Sequence, residues 1–241
     1  MFCFQCQETA KGTGCTVRGV CGKLPETSRW QDLLLSVVRG VGTIGHALSE
    51  AGVAYDKVPV GDMIVDALFT TITNANFDDS AILEKVDRAI AIKKQLLLIA
   101  KDKGVSLPDY QEVKWGGEKA DYRAEGDRES ILRNEDADLR SLKELTVLGL
   151  KGMAAYYEHA SHLNQRNEAI IDFMMKALSI ISDPSADMDT LLTTVLETGK
   201  FGVDAMALLD KANTTAYGNP ELTRVNIGVG KNPGILISGH D

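Results

Sequence analysis

All four cysteines of this 241-residue chain lie within its first 21 positions, as Cys3, Cys6, Cys15 and Cys21, and none follows. The run reads C-x2-C-x8-C-x5-C and is interleaved with Gly12, Gly14, Gly19 and Gly22. Such an arm has too few apolar residues and too many glycines to build a helix or strand of its own. It needs a cross-link, and four thiols in one short stretch suit a shared metal centre. No apolar run approaches the ~20 residues that span a bilayer. Glu8, Lys11 and Arg18 interrupt any secretory h-region. The expected location is therefore cytoplasmic, where thiols stay reduced and metal ligation is favoured over disulfides.

The remainder has the composition of a globular protein, with 44% hydrophobic and 25% charged residues. Its length corresponds to one large domain or two smaller ones. The net charge of -8 argues against nucleic acid or an anionic membrane as the main partner.

Residues 1–26 read as the irregular Cys-rich arm. Thr27 or Ser28 looks like a helix cap, followed by Trp30, Leu33, Leu34, Val37, Val38, Val41, Ile44 and Leu48 at helical spacing. Further helices are expected over 61–74, 79–103, 138–163, 165–181 and 187–212. Residues 104–137 read as a polar connection with a short helix near 127–134. The mixed charges of 118–144 read as a solvated loop and helix face. Met174–Met175 and Leu191–Leu192 read as core, and Tyr156–Tyr157 as core and boundary. After Pro220, residues 225–229 and 235–238 are β-branched runs broken by Gly and Pro, which predicts strands. The expected fold class is mainly α. Two three-helix bundles, about 27–103 and 138–213 within a helical domain of 27–222, follow the arm. Residues 223–241 would begin an α/β domain.

A weak internal repeat supports two similar units. Asp32-Leu33 and Val38-Arg39-Gly40-Val41 match Glu144-Leu145 and Leu150-Lys151-Gly152-Met153 at an offset of 112 positions. A glycine inside a helix costs up to about 1 kcal/mol against alanine, and close helix crossing is the expected reason to keep Gly40 and Gly152. Gly40-x-Gly42-x-x-Gly45 has the spacing of a dinucleotide fingerprint. It sits within a helix rather than after a strand, so helix packing explains it better. His159 and His162 are spaced i, i+3 but have no cysteine nearby, and they and His46 read as ordinary helix histidines. No nucleophile–base constellation for hydrolysis is present.

Four thiolates can hold zinc or an iron–sulfur cluster. Structural zinc usually takes two short knuckles, whereas here only Cys3–Cys6 is one. The longer gaps suit a chain wrapping a larger object, although a zinc clip and unmetallated cysteines remain alternatives. Lys11, Arg18 and Lys23 against Glu8 leave the arm locally cationic, which offsets the negative charge of a thiolate-bound cluster. The run is not the bacterial ferredoxin spacing.

The segments Met1-Phe2-Cys3-Phe4-Gln5-Cys6-Gln7-Glu8-Thr9, Gly14-Cys15-Thr16 and Gly19-Val20-Cys21-Gly22-Lys23 resemble the amino terminus of the hybrid-cluster (prismane, hydroxylamine reductase) proteins. The resemblance implies a [4Fe–4S] cluster on Cys3, Cys6, Cys15 and Cys21, and a first domain of two three-helix bundles. It implies a second, hybrid iron–sulfur–oxygen cluster held mainly by later α/β domains. By the same resemblance, the strand-Gly239-His240-Asp241 motif implies that His240 is a metal ligand of that second cluster. The family is about twice this length, so the chain is expected to be its amino-terminal portion. The implied activity is an oxidoreductase reducing hydroxylamine to ammonia, or nitric oxide to nitrous oxide, fed by a protein electron donor. The alternatives from other classes are a stand-alone iron–sulfur carrier or sensor and a zinc-clipped helical domain.

Overall fold

The computed structural model describes residues 1–72 and 76–236. The apolar periodicity is realised among them as eight α-helices: α1 (Pro25–Glu50), α2 (Lys57–Thr70), α3 (Asp79–Lys103), α4 (Gln111–Lys114), α5 (Tyr122–Arg128), α6 (Ala137–His162), α7 (Glu168–Ser182) and α8 (Met188–Tyr217). The protein is mainly α. None of these helices is long and apolar enough to cross a membrane.

Short polar side chains start most of the long helices. Asp56, Asp78, Asp136, Asn167 and Asp187 each accept a hydrogen bond from a backbone N–H of the first turn. The Asp56 cap starts α2 four residues earlier than expected and leaves Pro59 in the first turn, where its missing N–H costs nothing. α1 departs from this pattern. It begins at Pro25, before the expected Thr27 or Ser28, and Leu24 caps it with no side-chain bond. Proline presets the first helical φ and removes one N–H that would otherwise be unpaired. Gly104, at φ 65°, closes α3 in the left-handed conformation.

α1 forms the centre of the molecule. Leu33, Leu34, Val37, Val38, Val41, Ile44 and Leu48 are all at most 1% exposed. α1 packs on α3 and α7, α2 packs on α6, and α6 runs along α8. A single cluster of buried apolar residues therefore draws on both halves of the chain. Met174 and Met175 lie in it, as does Tyr157, whereas Tyr156 is half exposed. Leu191 is buried but its neighbour Leu192 is exposed, because successive residues of a helix face different directions.

The glycines of α1 mark close crossings. A Cβ at Gly42 would sit 2.6 Å from Leu178 Cβ of α7, and one at Gly45 would strike Met175. The crossing of α1 and α7 thus accounts for Gly42 and Gly45. Gly40 itself faces the backbone carbonyl of Glu112 in α4. Gly152 has open space around it, so the close approach expected there is absent; in α6 it falls instead at Gly149, over Thr198 of α8.

The connection between α3 and α6 is more structured than expected. It holds α4, α5 and 3-10 turns at Lys119–Asp121 and Ile131–Arg133 in place of one helix near 127–134. Most of its charges face solvent as expected, but three acids turn inward. Glu112, Glu125 and Glu129 are buried. Arg39 of α1 pairs with Glu112 at 3.3 Å and with Glu129. Arg133 pairs with the same two carboxylates, each at 2.7 Å, and Arg128 pairs with Glu125 at 2.6 Å. Excess buried acid is thus matched by arginine, the cation best suited to sharing several carboxylate oxygens.

At the other end, α8 runs to Tyr217, five residues past its expected limit. Residues 225–229, expected as a strand, form none among the described residues, and Leu222, Ile227 and Val229 are fully exposed. A β-strand exists only against a partner that exchanges ladder hydrogen bonds, and no described residue supplies one. Residues 237 and 238 of the second expected strand, and His240, lie outside the described residues.

These crossings predict opposite outcomes at two glycines. Gly40→Ala should lose about 2 kcal/mol or more, because the opposing group is a backbone carbonyl that cannot rotate away. Gly152→Ala should be neutral or gain up to about 1 kcal/mol. Urea-unfolding midpoints of the two variants provide the comparison.

Candidate metal centre

The arm is shaped by one backbone pairing and a few left-handed residues. Cys3 and Cys15 exchange both hydrogen bonds of an antiparallel bridge, Cys3 N–H to Cys15 O at 3.0 Å and Cys15 N–H to Cys3 O at 2.7 Å. The chain between them turns through Ala10–Gly12, with Lys11 and Gly12 at φ 56° and 68°. Gly14 is needed twice over: its φ is 139°, and a Cβ there would lie 2.6 Å from the Phe2 ring. A second, tighter loop carries Cys21 and is closed by Gly19 N–H to Lys23 O at 2.9 Å.

All four thiols are free, and no disulfide uses them. Cys15 is buried, Cys3 and Cys6 are partly buried, and Cys21 is exposed. The backbone N–H of Ala10 stands 3.4 Å from Cys15 Sγ. With the Val20 N–H, it holds the Cys15 thiol below its usual range, which favours the thiolate that binds metal. Lys23 brings its ammonium 4.0 Å from Cys3 Sγ. These are the donors that lower the charge on a ligating sulfur.

Two buried lysines fasten the arm to the helices. Lys23 is 2% exposed. It donates to Gln31 Oε1 of α1 at 2.7 Å, and Gln31 in turn donates to the Asn76 carbonyl at 3.1 Å. Lys151 of α6 is equally buried. It donates to the Thr71 carbonyl at 3.0 Å and to Gln5 Oε1, between Cys3 and Cys6, at 3.2 Å.

Behind the arm lies a cavity of about 490 Å³ whose lining includes Phe2, Cys3 and Gln5. Asp32 and Arg39 from α1, and Glu144 and Lys151 from α6, also line it. These four are the residues paired by the internal repeat. Each helix places an acid and, seven residues on, a base on one face. Burial raises Asp32 to about 8, with the neighbouring Glu144 carboxylate adding to the rise and Lys151 opposing it. Burial also raises Glu144 and lowers Lys151 to about 8. The sequence reading did not find this cavity. Its signal was available as lone charges, Asp32 and Lys151, set into apolar helical runs.

The three described histidines have other surroundings. His159 meets the Phe69 ring edge-on, His162 stands 3.2 Å from Glu158 on the surface, and His46 is half-buried with a lowered pKa caused by that burial.

Comparison with known proteins follows this geometry. Residues 1–241 match the family described as Prismane/CO dehydrogenase family. The chain is 50% identical over its full length to hydroxylamine reductase of Bacteroides fragilis (strain YCH46), covering 43% of that protein. It is 48% identical to hydroxylamine reductase of Desulfitobacterium hafniense (strain DSM 10664 / DCB-2), covering 44%. The enzyme of the same name from Caldanaerobacter subterraneus is 45% identical, again over the whole chain and 44% of the relative. The chain therefore spans less than half the length of the curated relatives it matches.

Two outcomes follow from the buried charges. Lys151→Met removes the ammonium's bonds to the Thr71 carbonyl and Gln5 and should cost about 1–3 kcal/mol in urea unfolding. Asp32 gives a pH effect of definite sign. Its folded value lies above its ordinary 3.8, so the folded state holds the extra proton and stability falls as pH rises from 3.8 toward about 8. Asp32→Asn should flatten that decline, read from denaturation midpoints across the same range.

Proposed function

This chain belongs to the Prismane/CO dehydrogenase family, and on that premise we propose that it is the electron-relay portion of a hydroxylamine reductase. In this reading Cys3, Cys6, Cys15 and Cys21 hold a [4Fe–4S] cluster. His240, by its Gly239-His240-Asp241 motif, ligates a second, hybrid iron–sulfur–oxygen centre built mainly by the longer protein. Residues 1–26 are the cluster arm, 27–222 the helical domain with its two three-helix units, and 223–241 the beginning of an α/β domain.

The single observation that carries the reading is the arm itself, with four free thiols on a backbone folded back between Cys3 and Cys15. The donor set fits a cluster better than a lone ion. Four free thiols, two of them beside an N–H or ammonium donor, suit an anionic thiolate-bound centre. Zinc needs four sulfurs about 2.3 Å from a single centre. A cluster takes one thiolate per iron and so accepts ligands set farther apart.

Bound there, the cluster supplies one-electron chemistry. The chain's own groups prepare the place for it. The Ala10 and Val20 N–H groups aim at Cys15, and the Lys23 ammonium faces Cys3, so added negative charge meets donors already fixed in position. Phe2 and Phe4, with ring centroids 6.0 Å apart, flank the Cys3–Cys6 knuckle and shield it on one side. With the cluster held by the four cysteines, electrons from a protein donor would pass singly toward the second centre, where the longer protein would reduce hydroxylamine to ammonia and water, or nitric oxide to nitrous oxide and water. The setting is the cytoplasm.

The chain purified anaerobically should contain about four iron and four sulfide. It should show a broad visible absorption that bleaches with dithionite, and Cys15→Ser should remove both. Colourless protein with one zinc per chain would overturn the cluster in favour of a structural clip. A cluster that binds and cycles while the full-length protein reduces no hydroxylamine or nitric oxide would favour a carrier or sensor.

A further inference from the structure

The cavity behind the arm contains two carboxylates that the relay role leaves unexplained. Asp32 of α1 and Glu144 of α6 line it together with Cys3. Neither carboxylate accepts a hydrogen bond from any described residue, while nearly every other acid buried nearby is paired with arginine. Both are partly buried, and both line the cavity. A buried carboxylate without donors is costly in its ionised form. Two of them sharing one space are costlier, because each disfavours ionisation of the other. A proton held on one of them relieves both penalties.

The surroundings make the proton's occupancy sensitive to charge on the arm. Lys151 and Lys23 act on Asp32, as does Glu129 from the connection. Arg39, Lys151 and Arg133 act on Glu144. Lys151 donates to Gln5 and Lys23 stands beside Cys3, so the cations that hold down the pair's proton affinity are the same ones that face the cysteine arm. A negative charge added at the arm adds its own unfavourable potential at the carboxylates, offsetting that of the ammoniums. Proton affinity of the pair rises as a direct Coulombic consequence.

We propose that the Asp32–Glu144 pair is the proton store of the electron relay, taking up a solvent proton as the cluster gains an electron and releasing it as the electron leaves. This rests on the cluster reading above. The balance is simple. An external one-electron reductant supplies the electron, solvent supplies the proton, and one O–H bond forms on the pair. Oxidation reverses both, and no other bond changes. The values raised by burial, about 8 for Asp32, place this exchange in the accessible pH range. They describe a coupled pair and not either residue alone.

The test is a potentiometric titration of the whole chain, purified anaerobically, between about pH 6 and 9. Iron and sulfide are counted first. If they are absent, the cluster reading fails and this inference with it. With the cluster present, its midpoint potential should fall as pH rises. The slope should be a fraction of the roughly 59 mV to which a tenfold change in proton concentration converts for one electron. Reduction should also bring up an infrared carbonyl band of a protonated carboxylic acid. Asp32→Asn and Glu144→Gln should each abolish the slope and the band, because removing one carboxylate frees the other to stay ionised. Asp102→Asn on the exposed end of α3 should leave both unchanged. A wild-type potential that is flat with pH overturns the proposal, as does a slope that survives in both variants. A slope lost in only one of them overturns the pair in favour of a single carboxylate.

Discussion

Two buried ammonium groups dock the cysteine arm, and the candidate site depends on them. The arm contributes little to the apolar core, and its internal bonds are a two-residue bridge and a few turns. Its position relative to the helices is set by Lys23 reaching Gln31 and Lys151 reaching Gln5 and the Thr71 carbonyl. An ammonium removed from water is strongly unfavourable unless its donors are satisfied and opposite charge is near. The protein meets both conditions with amide and carbonyl oxygens at bonding distance and with Asp32 and Glu144 across the cavity. The geometry is specific because the alternative, an unpaired buried lysine, is so poor.

The rigid frame around this polar centre comes from close helix crossing. α1 can lie against α7 because Gly42 and Gly45 leave room for Leu178 and Met175, and against α4 because Gly40 admits the Glu112 carbonyl. The latter approach places Glu112 where Arg39 and Arg133 share it. One glycine therefore links packing of the apolar core to placement of the buried ion pairs. A redox site gains from such stiffness, since groups fixed before the charge arrives need not reorganise when it does.

Much of the frame was legible in the sequence. The long helices follow from apolar spacing, and α3 matches its expected limits because Asp78 and Gly104 are strong start and stop signals. α1 starts three or four residues earlier than expected because Leu24–Pro25 begins a helix without a polar cap. The connection was misread because charge alone does not reveal direction. Glu112, Glu125 and Glu129 look like solvent-facing residues until Arg39, at least 73 positions before them, is folded against two of the three. Residues 225–229 have strand composition, but composition does not supply a pairing partner. The four cysteines were legible as a group from clustering alone, whereas their order of burial depends on the Cys3–Cys15 bridge, which spacing does not specify.

The internal repeat connects what was legible to what was not. Its offset pairs Asp32 with Glu144 and Arg39 with Lys151, and seven residues is close to two helical turns, so each acid and base share a face. Periodicity alone cannot say whether two such faces meet. Here α1 and α6 turn them toward one cavity, and the arm covers its edge with Phe2 and Cys3. The two helices are then equivalent in sequence but not in surroundings. Arg39 is tied to Glu112 and Glu129, while Lys151 is drawn to Gln5 and the arm. That difference matters more than the similarity. It leaves the carboxylates of the pair without arginine partners, and it places the more responsive cation, a lysine whose own charge is weakened by burial, on the side of the cysteine arm.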